Sequence, residues 1–265
     1  MGSCELDLKY VNLGAWRHLG DFNMPSYEER TYRKKVHAGD MASFRVAVKE
    51  TDLWVSADSN LEKETRDLVF SYRQHLETYI KSHPDFLTSL SPLKNDPYAP
   101  PMVREMIEVT RSVGVGPMAA VAGAIAQYVG EDLLRSSNQV IVENGGDIYL
   151  KALRPVTVSI FAGDSPLSEK FGLLIPERQM PVGVCASSGS VGHSLSMGIA
   201  DALCLLSSRA SLADAAATAI GNRIKKKKDL EDAAKWANES EGIIGGVCIV
   251  GGSMASWGDI ELVEI

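Results

Sequence analysis

Residues 118–134, MAAVAGAIAQYVGEDLL, are apolar on almost every side until the last turn. A helix with no polar face has to be enclosed, so this segment must be central and the rest of the chain must wall it in. With 265 residues the chain is long enough for that, as one large domain or two modest ones. Gly114 and Gly116 permit a tight turn ahead of the helix, and Pro117 suits its first turn. A glycine turn feeding a buried helix leaves backbone N–H groups free, which makes residues 114–127 a candidate anion site. The segment has neither P-loop nor GxGxxG spacing, and close packing through Gly123 explains its small residues equally well.

The walls are legible in outline. Residues 1 to about 30 lack periodicity and read as an irregular arm. RTYRKKVHA and MASFRVAVKETDLWVSAD flank Gly39-Asp40 and suggest a β-hairpin turned there. Residues 60–82 carry a helical stripe of Leu61, Leu68, Val69, Tyr72, Leu76, Tyr79 and Ile80. The prolines from Pro84 to Pro101 mark a connection or a loop closing over a site. A helix follows at 102–112. Strands are expected in QVIVENGGDIYLKA, PVTVSIFAG, VGVCASS, DALCLLS, GIIGGVCIVGG and DIELVEI, with helices in SLADAAATAIGN and DLEDAAKWANES. Helices and strands mix without strict βαβ alternation, so the class is α+β, with mixed or antiparallel sheets packed against helices. We read residues 1–265 as a single domain. Two subdomains are compatible with it: a hairpin plus helix over about 1–100, and a ligand-binding core over about 101–265.

Composition narrows the function classes. A net charge of −7 argues against a nucleic-acid-binding surface. Cysteines 4, 185, 204 and 248 form no CxxC pair, and three sit among apolar neighbours, as buried thiols in a reducing compartment do. The opening MGSC has neither the basic nor the apolar region of a signal peptide, and Leu6 replaces the Ser or Thr that myristoylation requires. No apolar run reaches membrane-spanning length. The expectation is a cytoplasmic protein without membrane contact. The lysine run 225–228 reads as a solvated helix end, with phosphate binding as the alternative.

Three further segments interrupt apolar elements with glycine and small polar residues. In VENGGDIYL, residues 142–150, a strand runs into Glu143, Asn144, Gly145, Gly146 and Asp147. Paired glycines serve a hairpin turn or let a ligand approach, and the carboxylates exceed what a turn needs. CASSGSVGHS, residues 185–194, brings Ser187, Ser188, Gly189 and His193 after a strand, without the GxSxG order of a nucleophile elbow. In SLADAAATAIGN, residues 211–222, Asp214 precedes Thr218 by four residues, so both share a helix face. Ser211 with Asp214 fits a capping box. Asp214 with Thr218 also fits a hard-cation site of the Mg²⁺ type.

Together these segments resemble the ApbE-like superfamily, whose characterised members are FAD:protein FMN transferases. ADAAATAI, residues 213–220, is similar to the family's metal-binding helix, approximately A-D-a-x-[AD]-T-[AG]. GAIAQYVG, residues 123–130, is similar to its G-x-[IV]-[AG]-[KE]-G-Y helix, and ENGGDIYL to its GGD strand. CASSGSVGHS resembles the T-S-G segment and the later histidine near the flavin phosphates. The likeness spans residues 100–222 and is stronger still to an uncharacterised archaeal and bacterial branch. It implies an ApbE-like fold, with Mg²⁺ on Asp214, Thr218 and the Ala124 carbonyl. It implies a nucleotide or flavin ligand, FAD, against Gly114, Gly116, Gln127, Asn144, Gly145, Gly146, Ser187, Ser188 and Gly189. His193 or Asp147 would be the general base, and a protein would be the acceptor of FMN. Gln127 stands where the transferases carry Lys or Glu, Tyr128-Val129 replaces Gly-Tyr, and no D-P-x-T-G loop follows His193. A carrier or sensor of flavin or nucleotide, or an enzyme acting on another diphosphate, is therefore the alternative. The many small apolar residues fit a monomer or a homo-oligomer.

Overall fold

The computed structural model describes residues 41–188 and 198–265. In chain order, β1 (Ala42–Val48) and β2 (Thr51–Ala57) lead to α1 (Glu62–Ser82), α2 (Asp85–Thr88) and α3 (Pro101–Val113). A 3₁₀ turn at Pro117–Ala120 enters α4 (Val121–Leu133). Then come β3 (Val140–Asn144), β4 (Asp147–Lys151), β5 (Val156–Ser159), β6 (Phe171–Ile175), β7 (Val182–Ser187) and β8 (Ala202–Ser207). The chain closes with α5 (Ala210–Gly221), α6 (Leu230–Asn238), β9 (Ile243–Val250), β10 (Ser253–Gly258) and β11 (Glu261–Glu264).

Eight strands form one sheet in the order β1-β2-β3-β4-β7-β8-β9-β10, and β11-β6-β5 form a second. Every neighbouring pair is antiparallel. Strand alternation sends one set of side chains to each face. Val140, Val142, Tyr149, Leu203, Leu205 and Cys248 face the helices. Ile141, Ile148, Leu150, Val184, Leu206 and Val247 face the small sheet. The result is three layers, helices over large sheet over small sheet, with a core on each side of the large sheet. The α+β class and the antiparallel sheets agree with the sequence reading. Among the described residues no single helix is long and apolar enough to cross a membrane.

α4 is the enclosed element that its composition demands: Gly123, Ala124, Ile125, Ala126, Gln127, Val129, Gly130 and Leu133 are all buried. Small residues let its neighbours close in. A Cβ on Gly130 would lie 2.3 Å from the Tyr149 ring, and one on Gly123 would lie 2.4 Å from the Ala210 carbonyl oxygen. On the sheet side, a Cβ on Gly183 would lie 2.3 Å from the Ala210 Cα. The first residue of α5 is thus wedged between α4 and β7.

Three sequence expectations are corrected. MASFRVAVKETDLWVSAD is not one strand but a complete hairpin, β1 with β2, turned at Lys49-Glu50 with Lys49 at φ 53°. RTYRKKVHA and the Gly39-Asp40 turn lie outside the described residues. β6 and β10 form where no strand was expected. FGLLI has no polar/apolar alternation to mark it, yet it pairs with β5 on one edge and β11 on the other, and SMASWG is rich in small residues but takes its register from β9.

Gly183→Ala tests the wedge. The added methyl meets backbone, which cannot swing aside, and overpacking of this kind costs about 1–3 kcal/mol. Thermal melts should show Tm lowered by roughly 2–10 °C. An unchanged Tm would mean that α5 is not held against β7 this tightly.

Candidate functional site

The β3–β4 hairpin turns at Gly145-Gly146, both at positive φ, 69° and 113°. The turn leaves Asn144 and Asp147 paired across it on the helix-facing side of the sheet. Asn144 donates through its amide to the Ala122 carbonyl at 3.1 Å, tying the hairpin to the start of α4. On the other flank of β4, Asp147 is paired with Cys185 of β7. Cys185 is fully buried and its thiol donates to the Ala210 carbonyl at 3.2 Å. Ser187 follows two residues later on the same face.

Asp214 enters from above, on α5. The capping box expected for Ser211 and Asp214 does not form: the helix begins at Ala210, Arg209 precedes it, and neither side chain caps it. Both reach across to other elements instead. The Ser211 hydroxyl donates to Glu105 Oε1 at 2.5 Å, and Asp214 Oδ2 accepts the Gly123 N–H at 2.9 Å. Asp214 therefore sits on the N-terminus of α4, where free N–H groups and the helix dipole favour an anion.

This brings the half-buried Asp214 carboxylate close enough to the buried Asp147 for each to bear on the site. Burial lifts the Asp214 carboxyl to about 7, against hydrogen bonds from the Gly123 and Ala122 N–H groups that pull it down. Asp147 is pushed well above the usual carboxylate range, by burial first and then by the charges of Asp214 and Glu143. The Cys185 thiol is raised by burial and by both aspartates, so it stays a neutral thiol. Asp147 Oδ1 and Ser187 Oγ are buried and, among the described residues, have no hydrogen-bond partner. Buried acceptors left this way are costly unless something polar meets them. Two facing carboxylates are relieved by a shared proton or by a cation, and oxygen donors of this kind suit Mg²⁺. The donor set fits the ion. Among the described residues, no group of three or more His, Cys, Asp and Glu is arranged to hold a metal, so hydroxyl, carbonyl or water oxygens would have to complete any coordination.

The other sequence candidates fall in different places. Thr218 lies one turn beyond Asp214 on the same stripe of α5 and is partly exposed. Ala124 follows the Gly123 contact and is fully enclosed within α4. Gln127 is buried between helices, donating to Glu105 at 3.2 Å and accepting the Ser211 N–H at 3.3 Å. Gly114 ends α3 in the left-handed region at φ 81°, and Gly116 is pressed against the Ser89 carbonyl. Neither glycine is shown beside the aspartates. Ser188 ends the described segment after β7, and Gly189 and His193 lie outside the described residues. Sequence reasoning missed Cys185 as a neighbour of Asp147. Its alternation with Ser187 in VGVCASS was the available signal. It also missed Glu105, which gathers the Gln127 amide and the Tyr128 and Ser211 hydroxyls.

Comparison with known proteins places this geometry in context. A family model described as "AbpE bacteria" matches residues 33–249. A UPF0280 protein of Methanocella arvoryzae is 42% identical over 212 residues, covering 80% of this chain and 86% of the relative. A UPF0280 protein of Methanosarcina barkeri is 39% identical over 234 residues, covering 86% and 92%. Among solved structures, the flavinyl transferase ApbE of Pseudomonas stutzeri in apo form is similar at TM-score 0.55 and 15% identity, over 82% of this chain and 94% of that one. The flavin transferase ApbE of Vibrio cholerae is similar at TM-score 0.52 and 10% identity, over 82% and 96%. At these identities the structural likeness establishes a shared fold.

The carboxylate pair carries a pH signature. An unfolded aspartate titrates at about 3.9, and Asp214 in the folded protein at about 7. Between those values the folded protein holds a proton that the unfolded chain has released, so stability falls as pH rises through that window. In metal-free protein, Tm should drop between about pH 4 and about pH 7. Asp214→Asn, which mimics the protonated acid, should reduce that slope, the remainder belonging to Asp147. A wild-type Tm that rises over this range would contradict the site as described.

Proposed function

The chain belongs to the family described as "AbpE bacteria", and from that premise we propose that it binds FAD with Mg²⁺ at the Asp147–Asp214 site and transfers FMN to a protein hydroxyl. The observation that carries this reading is the pair of carboxylates at the start of α4, Asp147 buried and Asp214 half-buried, with Asp147 Oδ1 and the Ser187 hydroxyl unmet among the described residues. Asp214, Asp147 and Thr218 are the side chains to hold the ion, with the Ala124 carbonyl as the further oxygen that the family resemblance suggests. Bound there, Mg²⁺ supplies charge neutralisation for a pyrophosphate.

In the proposed reaction the acceptor oxygen bonds to the phosphorus on the FMN side. The bond from that phosphorus to the bridging oxygen breaks, and AMP leaves with the electron pair. The hydroxyl proton passes to a base, for which His193 and Asp147 are the candidates. The Gly145-Gly146 turn contributes by absence: without side chains, it lets phosphate oxygens approach the backbone. Gly123 contributes by packing, because it holds Asp214 in place through its N–H.

Gln127 favours a second reading. It is buried and committed to Glu105 and Ser211, so it offers no charge to a ligand where the transferases carry Lys or Glu. A flavin or nucleotide carrier would keep the ion site and release no AMP.

Incubation with FAD, Mg²⁺ and a candidate acceptor protein distinguishes the two. Transfer predicts AMP release with flavin fluorescence on the acceptor, reduced on the order of 10²-fold or more in Asp214→Ala. Saturable FAD binding without AMP, across several acceptors, would favour the carrier. Absence of FAD binding at any Mg²⁺ concentration would exclude both.

A further inference from the structure

The large sheet ends at β10, and among the described residues nothing pairs with that end. Ser253–Gly258 pairs with β9 along one edge only. Among the described residues, no backbone or side-chain hydrogen bond reaches its other edge. Exposed edges are ordinarily blunted by proline, by charge or by brevity. This one spans six residues, SMASWG, with neither proline nor charge. Extended chain of that length is about 20 Å, enough to template a second strand.

Beside this edge lies a groove of about 550 Å³. One wall is Ser253, Met254 and Ala255 of β10, and the other is Lys227, Lys228, Leu230 and Glu231 at the entry to α6. Lys225, Lys226, Lys227 and Lys228 are all exposed. Lys227 and Lys228 make no ion pair among the described residues. Concentrated positive charge is unusual in a chain of net charge −7. Among the described residues no acidic side chain pairs with Lys227 or Lys228, so helix-end solvation leaves their position beside the edge unexplained.

We propose that β10 and the Lys227–Lys228 wall form a docking site for an extended acidic peptide segment of a partner protein. The peptide would add to β10 as a ninth strand. Its backbone would take up the free N–H and C=O groups of the edge, which gives affinity with little dependence on sequence. Every second side chain of such a strand falls on the helix-facing side, over the lysines, and carboxylates there meet complementary charge. The residues between them fall on the opposite face, beside Met254 of β10, where small apolar side chains fit. This site lies three strands from Asp147 across β7, β8 and β9, and it does not depend on the flavin reading.

Fluorescence anisotropy on the full chain tests it with labelled Glu-Val-Glu-Val-Glu-Val, the Lys-Val counterpart, and the acidic peptide methylated on every backbone nitrogen. The acidic peptide should bind saturably and the lysine counterpart about tenfold or more weaker. Lys227→Glu with Lys228→Glu should weaken binding of the acidic peptide by a similar factor. Both side chains are exposed, so circular dichroism should be unchanged. Backbone methylation should abolish binding to the wild-type protein, an arm that needs no variant. Equal binding of the methylated peptide would reduce the effect to charge attraction and overturn strand addition. No saturable binding would overturn the docking site. Sedimentation showing a dimer broken by Ser256→Pro would overturn it too, because the edge would then belong to a second copy of the chain.

Discussion

The site depends on one close approach, the backbone of Ala210 wedged between Gly123 on α4 and Gly183 on β7. Any side chain at either glycine would push α5 away from one neighbour or the other. With α5 at this distance, Asp214 one turn later can reach the Gly123 N–H. The same contact accepts the Cys185 thiol at Ala210 and so fixes the strand that flanks Asp147. The small residues that make this helix pair look bland in the sequence are therefore what bring two acids to one site.

Those acids explain why the helix start matters. A single carboxylate on the N-terminus of α4 would be stabilised by it and would need nothing more. The second carboxylate changes the balance: burial raises both acids, and the charge of Asp214 raises Asp147 further. An arrangement that costs stability without an occupant is the kind kept for binding. The Gly145-Gly146 turn and the Ser187 hydroxyl flank Asp147 with backbone and a further oxygen, donors of the kind that suit a hard cation.

Much of this is legible in the amino-acid sequence alone. The all-round apolar character of residues 118–134 requires a central helix, and α4 is central. The doubled glycine in ENGGD is a turn, and the carboxylate that follows it, Asp147, lies on the helix-facing side of the sheet. The reading of Ser211 and Asp214 as a capping box fails because local spacing cannot tell whether a side chain bonds its own helix or a neighbour 91 residues away. Tertiary partners decide that. The β1–β2 turn at Lys49-Glu50 is hidden for a similar reason: neither residue is a preferred turn former, and the strands impose the geometry. Gln127 looks like a ligand contact by its place in the family motif, yet its amide is consumed inside the helix layer. Glu105 carries no motif at all, since only the meeting of α3, α4 and α5 gives it three donors.

The central claim is that Asp147 and Asp214 share a space that is relieved by a cation. Calorimetric titration of Mg²⁺ near pH 6.5, repeated in buffers of different ionisation enthalpy, measures protons released on binding. A metal that displaces protons from the carboxylate pair should release at least one proton, and Asp214→Asn should bind far more weakly. Binding that releases no proton, or that is unchanged in Asp214→Asn, would contradict the account.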